Sequence, residues 1–178
     1  GSAERADFRP ASREDFVREI WPMAVRAGHN LGVEPRAIVA QAALETGWGS
    51  RLIRDDAGIS GNNLFGIKAD SRWNGERVSV APLEYEGGLP KPQRANFRAY
   101  PDLAAGFEDY VRFLRDNPRY GEALRNGADA GAYADQLQNS GYATDPRYAE
   151  KIRSIIASPI LAAVDTSLKP GSELPNYP

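Results

Sequence analysis

The sequence predicts an α+β domain that is mainly α, with one β insertion between its early and late helices. Three observations carry this expectation. Apolar residues recur at helical spacing in both the first and last thirds of the chain. Between Arg72 and Tyr100 the period drops to two, with Val78 and Val80 alternating with polar residues and Phe97 and Tyr100 on a second run. Gly, Pro and capping residues punctuate these segments at the positions where helices and hairpins begin and end.

In chain order, residues 1–11 are polar and are expected to form a loose leader, with Gly1-Ser2 reading as an added dipeptide rather than a native start. Ser12 can cap a helix whose first turn carries Glu14 and Asp15 and whose buried stripe is Phe16, Ile20, Met23, Ala27 and Leu31. Pro22 falls inside that stripe and predicts a kink or local break. Gly32 ends this helix. Pro35 opens the next, which runs to about Thr46 and stops at Gly47. Ser50 to Asp55 reads as a short helical segment. The loop Gly58 to Lys68 is dense in Gly and Asn, which serve either turn geometry or ligand contact.

The β-lobe is expected over about 72–100, with Gly87-Gly88-Leu89-Pro90 as its turn and Pro82 marking an edge strand or bulge. Beyond it, Asp102 caps the stripe Phe107, Tyr110, Val111 and Leu114. A short helix around Arg119–Arg125 and another over Ala130–Asn139 follow. Tyr148, Ile152, Ile155 and Ile156 form the last stripe, which Pro159 interrupts. The folded domain is thus expected over 12–162, with a tail over 163–178 rich in Pro, Gly and Ser.

Composition narrows the chemistry. The chain has 178 residues, enough for one domain with a sizeable core, and its net charge of −2 argues against nucleic acid as a partner. No apolar run approaches the roughly 18 residues that a membrane span needs. With no Cys and only His29, a helix-end residue read as structural, thiol nucleophiles and multi-histidine metal sites are excluded. No metal or other cofactor is expected, and the remaining candidates are carboxylates, tyrosines and amides.

Among these, Glu45 stands out. It lies in the last turn of an apolar helix, just before Gly47-Trp48-Gly49. Such a glutamate is either ion-paired or held partly dry. The negative end of the helix dipole and burial beside Trp48 would both favour its protonated form. A carboxylic acid that keeps its proton near neutrality is what protonation of a poor leaving group, such as a sugar hydroxyl, requires. Glycoside hydrolysis usually adds a second carboxylate, for which the β insertion offers Glu76, Glu84 and Glu86. Trp48, Phe65, Trp73, Tyr85 and Tyr142 could form a sugar-stacking surface, whereas Tyr110, Tyr133 and Tyr148 lie on helical stripes and read as core.

Four blocks in order, Ala43-Leu44-Glu45-Thr46-Gly47-Trp48-Gly49, Asn63-Leu64-Phe65-Gly66-Ile67-Lys68, Phe97-Arg98-Ala99-Tyr100 and Gly141-Tyr142-Ala143-Thr144-Asp145-Pro146, resemble the N-acetylglucosaminidases of glycoside hydrolase family 73. The resemblance covers about residues 13–157. It implies a lysozyme-like fold, a helical lobe and a small β-hairpin lobe flanking a groove for the peptidoglycan glycan strand. It also implies cleavage of the β-1,4 bond between N-acetylglucosamine and N-acetylmuramic acid. By position Glu45 would be the general acid and Glu84 the second catalytic carboxylate, although Pro82 replaces the family's Thr and leaves Glu86 as an alternative beside the substrate. Tyr142 would complete the catalytic group, with Trp48, Asn63 and Phe65 lining the groove. The resemblance further implies a periplasmic setting, wall opening during flagellar rod assembly, and rod-protein contacts through an N-terminal half absent from this sequence. The Glu45–Glu84 separation is expected to exceed the ~5–5.5 Å of a retaining pair.

Overall fold

The computed structural model describes residues 4–81, 85, 86, 89, 90 and 94–167, with backbone alone for 85, 86, 89, 90 and 165–167. The helical body is built around two N-terminal helices. Helix α1 (Arg13–Leu31) starts where the Ser12 side chain accepts the Asp15 N–H at 3.0 Å, and ends at Gly32 in left-handed geometry, φ +71°. It runs through Pro22 without the expected break. The residues on both sides, Phe16, Ile20, Trp21, Ala24 and Ala27, are buried in one core, and that packing offsets the hydrogen bond the proline cannot make. Helix α2 (Pro35–Thr46) has Pro35 in its first turn, and every residue from Ala37 to Ala43 is buried. It is the central helix of the body, packed against α1, α5 (Ala130–Asn139) and α6 (Tyr148–Ile156).

Helix α3 (Leu103–Asp116) is capped by Asp102, and its stripe Phe107, Tyr110, Val111 and Leu114 is buried as the periodicity predicts. A 3-10 turn (Pro118–Tyr120) leads into α4 (Gly121–Arg125). Pro159 does interrupt the last stripe, but as the first residue of a further helix, α7 (Pro159–Ser167), whose Leu161 is fully buried against the core.

The β-lobe is an antiparallel pair, β1 (Arg77–Val80) and β4 (Ala95–Arg98), with Val78 opposite Phe97. A second short pair, β2 (Tyr85–Glu86) and β3 (Leu89–Pro90), lies between them in sequence. Pro82 and the proposed turn residues Gly87 and Gly88 lie outside the described residues. On the other edge of β4, the loop residues Ile67 and Ala69 bond Arg98 and Asn96 through their backbones, each at 3.0 Å. The lobe is fastened to α3 by the buried Asp109. This carboxylate accepts from the Tyr100 hydroxyl at 2.5 Å and from Arg98 Nη1 at 2.9 Å, while the Arg98 guanidinium lies 4.7 Å from the Trp73 ring centre.

Two local expectations are corrected. Ser50–Asp55 is not helical: the chain turns over 47–51, and Arg54 then bridges antiparallel to Ser60. The Asp55 carboxylate takes the backbone N–H groups of Ala57 and Ile59, both at 2.9 Å, and such local bonding competes with a helix. Nor are residues 4–11 loose. Arg5 is buried, pairing with Asp55 and with Glu76 at 2.9 Å and donating to the Ser60 carbonyl at 3.0 Å. Phe8 is buried against Phe16, ring centres 5.9 Å apart. Polar composition concealed this because the partners of the leader are distant acids. Phe8→Ala is expected to cost about 3 kcal/mol in thermal unfolding; an unchanged melting temperature would mean that the leader does not contribute to the fold.

Candidate active site

The site is made where the end of α2 meets the 62–69 loop and the start of α6. Gly47 ends α2 in left-handed geometry, φ +56°, and Trp48 and Gly49 continue it at +58° and +91°. Left-handed backbone costs a non-glycine residue roughly 1–2 kcal/mol. Here the Trp48 ring is held edge-on to Phe16, centres 6.4 Å apart, with the Arg13 guanidinium 5.1 Å from its centre. The chain thus leaves the helix sharply just after Glu45. The Trp48 contacts point toward α1, so what dries Glu45 has to be sought elsewhere.

The wall over Glu45 is the turn at Gly66. A Cβ built on Gly66 would lie 3.1 Å from Glu45 Oε2, close enough to press on the carboxyl, and Gly66 has φ +66°, a backbone that favours glycine. On the other side the Tyr148 hydroxyl donates to Glu45 Oε1 at 3.5 Å, a long bond. Burial raises the Glu45 pKa from its ordinary 4.5 to about 7, with the Tyr148 hydroxyl and the Arg51 charge opposing the rise. The carboxyl therefore keeps its proton to a higher pH than an ordinary glutamate does. Gly66→Ala is expected to cut hydrolysis by at least about tenfold through displacement of this carboxyl, with a stability loss of only about 1–2 kcal/mol. Steady-state rates on isolated peptidoglycan would check it.

Tyr142 stands beside this pair. Its ring is parallel to Tyr148, centres 6.1 Å apart and planes inclined by 21°, and its hydroxyl donates to the Phe65 carbonyl at 2.7 Å. Burial first, and then the nearby Tyr148 and Glu45, push its pKa well up, so it remains a neutral phenol. The structure thus brings together Glu45 and Tyr142 and adds Tyr148, which the periodicity assigned to the core. Tyr148 is indeed buried, but its hydroxyl reaches the carboxyl.

Two expected groove residues are used differently. Asn63 is buried, and its amide donates to the carbonyls of Ile67 (2.8 Å) and Arg98 (3.0 Å) while its oxygen accepts from the N–H groups of Phe65 (3.3 Å) and Ile67 (3.1 Å). It shapes the loop and has nothing left for a sugar. The Phe65 ring stacks on Tyr110, centres 3.8 Å apart, and meets Phe107 edge-on, so it belongs to the core and serves the site through its carbonyl. Of the second-carboxylate candidates, Glu76 is occupied by Arg5. Glu84 lies outside the described residues and Glu86 is described by its backbone alone, so the expected Glu45–Glu84 separation falls outside them too.

A helical body with a small β-lobe clasped to it is the lysozyme-like fold of peptidoglycan hydrolase domains, and the chain is a glycoside hydrolase of that fold. The chain belongs to the glucosaminidase family: the family model described as mannosyl-glycoprotein endo-beta-N-acetylglucosaminidase matches residues 21–161. It is 44% identical over 158 residues to the peptidoglycan hydrolase FlgJ of Vibrio parahaemolyticus, covering 87% of this chain and 51% of that protein. The chain thus spans about half the length of this curated relative. Among solved structures, it is similar to the peptidoglycan hydrolase of Sphingomonas sp. A1, with TM-score 0.76 and 37% identity over 91% of this chain and 99% of that one. It is also similar to a C-terminally truncated glycoside hydrolase domain of Salmonella typhimurium FlgJ, with TM-score 0.70 and 39% identity over 87% and 99%.

Proposed function

We propose that this chain hydrolyses peptidoglycan at the β-1,4 bond between N-acetylglucosamine and N-acetylmuramic acid, with Glu45 as the general acid. The observation that carries this reading is the half-dry Glu45 carboxyl, whose pKa of about 7 lets it hold a proton for the leaving sugar oxygen and release it in the transition state. Once ionised, Glu45 accepts from Tyr148, and this hydrogen bond favours the anion. Tyr142, a neutral phenol beside Glu45, is assigned to orienting water or the substrate 2-acetamido group.

The second carboxylate is assigned to Glu84, with Glu86 as the alternative. Glu84 as base gives an inverting displacement, with water attacking as the Glu45 proton moves to the leaving oxygen. Attack by the 2-acetamido group instead gives a substrate-assisted route, with Tyr142 aligning the group. Trp48 is assigned to the rim of the glycan site, since it is partly exposed in the turn that follows Glu45. The similarity to FlgJ supports a periplasmic role in opening the wall for the flagellar rod, with rod proteins as partners of a further domain.

The test is mass spectrometry of purified peptidoglycan digested by the parent and by Glu45→Gln. Products with reducing-end N-acetylglucosamine from the parent, and none from the variant, are expected. Anhydromuramic acid would make it a lytic transglycosylase, reducing-end N-acetylmuramic acid would make it a muramidase, and undiminished cleavage by Glu45→Gln would remove the acid assignment.

A further inference from the structure

The stretch from Gly49 to Gly66 carries the wall over Glu45, yet it holds no helix, and its one strand-type pairing is the bridge between Arg54 and Ser60. Much of what fixes it comes from the leader, residues 5–10. At one end Pro10 lies flat on the turn that follows Glu45: a Cβ on Gly49, at φ +91°, would come 2.4 Å from Pro10 Cγ. In the middle, Arg54 donates to the Asp7 carboxylate at 2.9 Å and to the Phe8 carbonyl at 3.2 Å, and Arg9 donates to the Gly58 carbonyl at 3.0 Å. At the other end the Ser60 N–H donates to Asp7 Oδ1 at 3.0 Å, and the Ser60 carbonyl accepts from Arg5 Nε at 3.0 Å. The Asn62 amide donates to the Ala6 carbonyl at 2.9 Å. Asn62 is a corner, φ +58°, directly before the Asn63 brace of the Gly66 turn. The leader is itself anchored. Its Ala6 N–H donates to the Pro101 carbonyl at 2.9 Å, and Arg5, with a side chain only 4% exposed, pairs with both Asp55 and Glu76.

We propose that Arg5, Asp7 and Pro10 are positioning residues of the active site, a strap that clamps residues 49–62 at both ends and so holds the Gly66 turn against Glu45. The clamped stretch starts in the turn that follows Glu45 and leads to the glycine that covers it, so slack in the stretch is felt at the carboxyl. Arg5 is the central tie. Its cation is shared by carboxylates on two separate segments, and without it Asp55 and Glu76 repel and the loop loses its hold on the β-lobe. A wall displaced by about 1 Å is enough to misplace the reacting group and admit water. Burial is the largest influence on Glu45, so water admitted there favours its anion. Among the described residues, the ionisable groups that act on Glu45 or feel its charge are Tyr148 on α6, Tyr142 on the loop before it, and Arg51 in the turn after α2. The two phenols lie outside the strapped stretch. Arg51 lies within it, but its charge acts on Glu45 more weakly than burial does.

The role depends on Glu45 being the general acid. The test measures kcat, KM and the pH–rate profile of the full chain on soluble peptidoglycan fragments, well below the melting temperature of each protein. The variants are Arg5→Met, Asp7→Ala, Asp7→Asn and, as a control for stability alone, Leu161→Ala where α7 meets the core. Arg5→Met is expected to lower kcat about fivefold or more, with a smaller change in KM, and to move the alkaline limb down by about half a pH unit. Asp7→Ala should shift both in the same directions by less, and it answers the question if Arg5→Met does not fold. Asp7→Asn keeps an acceptor for the Ser60 N–H and should stay near the parent. Leu161→Ala should melt earlier with the parental kcat and limb. A limb that stays in place in folded Arg5→Met and Asp7→Ala, whatever happens to their rates or melting temperatures, overturns the proposal and leaves the leader as packing. An equal shift in Leu161→Ala overturns it too, since instability alone would then account for the change. Full activity in Glu45→Gln would instead remove the reading underneath it.

Discussion

Glu45→Gln is expected to lower hydrolysis by about 10²–10⁴-fold and, at alkaline pH, to make the protein more stable. Both effects follow from one displaced equilibrium. Folding raises the carboxyl pKa from its ordinary 4.5 to about 7, chiefly by burial. The folded chain therefore keeps this proton over a range where the unfolded chain has released it. Its contribution to stability is fully present below about pH 4.5 and is lost as the pH rises through about 7. Glutamine cannot ionise, so it escapes that loss.

The variant and parent should melt together near pH 4, apart from small packing differences. Near pH 8.5 the variant should be ahead by about 2 kcal/mol, after allowance for the partial solvent access of the site, or about 4–8 °C. The activity of the parent should fall about tenfold per pH unit well above pH 7, because only the protonated acid is competent. Melting curves at the two pH values check the first half and a pH–rate profile the second. An advantage of equal size at both pH values would mean that Glu45 titrates as an ordinary surface carboxylate. A residue that costs stability where it is useful is what a tuned acid looks like in thermodynamic terms.

The second large effect is on stability. Asn63→Ala is expected to destabilise the fold by about 3–5 kcal/mol, because it orphans buried donors and acceptors on two chain segments at once. The Asn63 side chain serves the N–H groups of Phe65 and Ile67 and the carbonyls of Ile67 and Arg98. The Phe65–Ile67 turn carries Gly66 over Glu45, and Arg98 ties β4 to α3 through Asp109. Asn63→Asp keeps the two acceptor interactions but sets a carboxylate against two carbonyls, so it should also destabilise. A groove asparagine would behave in the opposite way, with KM rising and the melting temperature unchanged. Calorimetry together with steady-state kinetics separates the two cases.

Much of the architecture was legible in the sequence because it is set locally. The caps Ser12 and Asp102, Pro35 at a helix start and Gly32 and Gly47 at helix ends act on neighbouring backbone, and each bounds the helix it was expected to bound. The change of period around Val78 and Phe97 located the paired strands. Glu45 was legible for a similar reason: a carboxylate in the last turn of a mainly apolar helix, two residues before the Gly47 cap, is odd on its face. Pro22 does not break the helix because a lost hydrogen bond is a local cost that packing on either side can outweigh.

The uses of the remaining site residues were not legible. Helical periodicity reports that Tyr148 is buried and says nothing about what lies opposite, and its partner Glu45 is 103 residues away in the chain. Asn63 and Phe65 carry residue types that suit a sugar site equally well, and only their contacts reveal a loop brace and a core ring. Arg5 looked like part of a solvated leader because the two acids that bury it, Asp55 and Glu76, belong to other segments.

The sequence by itself determined the helical body, the β insertion and the identity of the unusual carboxyl, since propensity, capping and period act over a few residues. The tertiary structure alone decided the surroundings of that carboxyl: the Gly66 turn above it, the burial that raises its pKa, and the Tyr148 hydroxyl beside it that opposes the rise. A pKa is set by desolvation and by neighbours in space, and folding chooses those neighbours from distant parts of the chain.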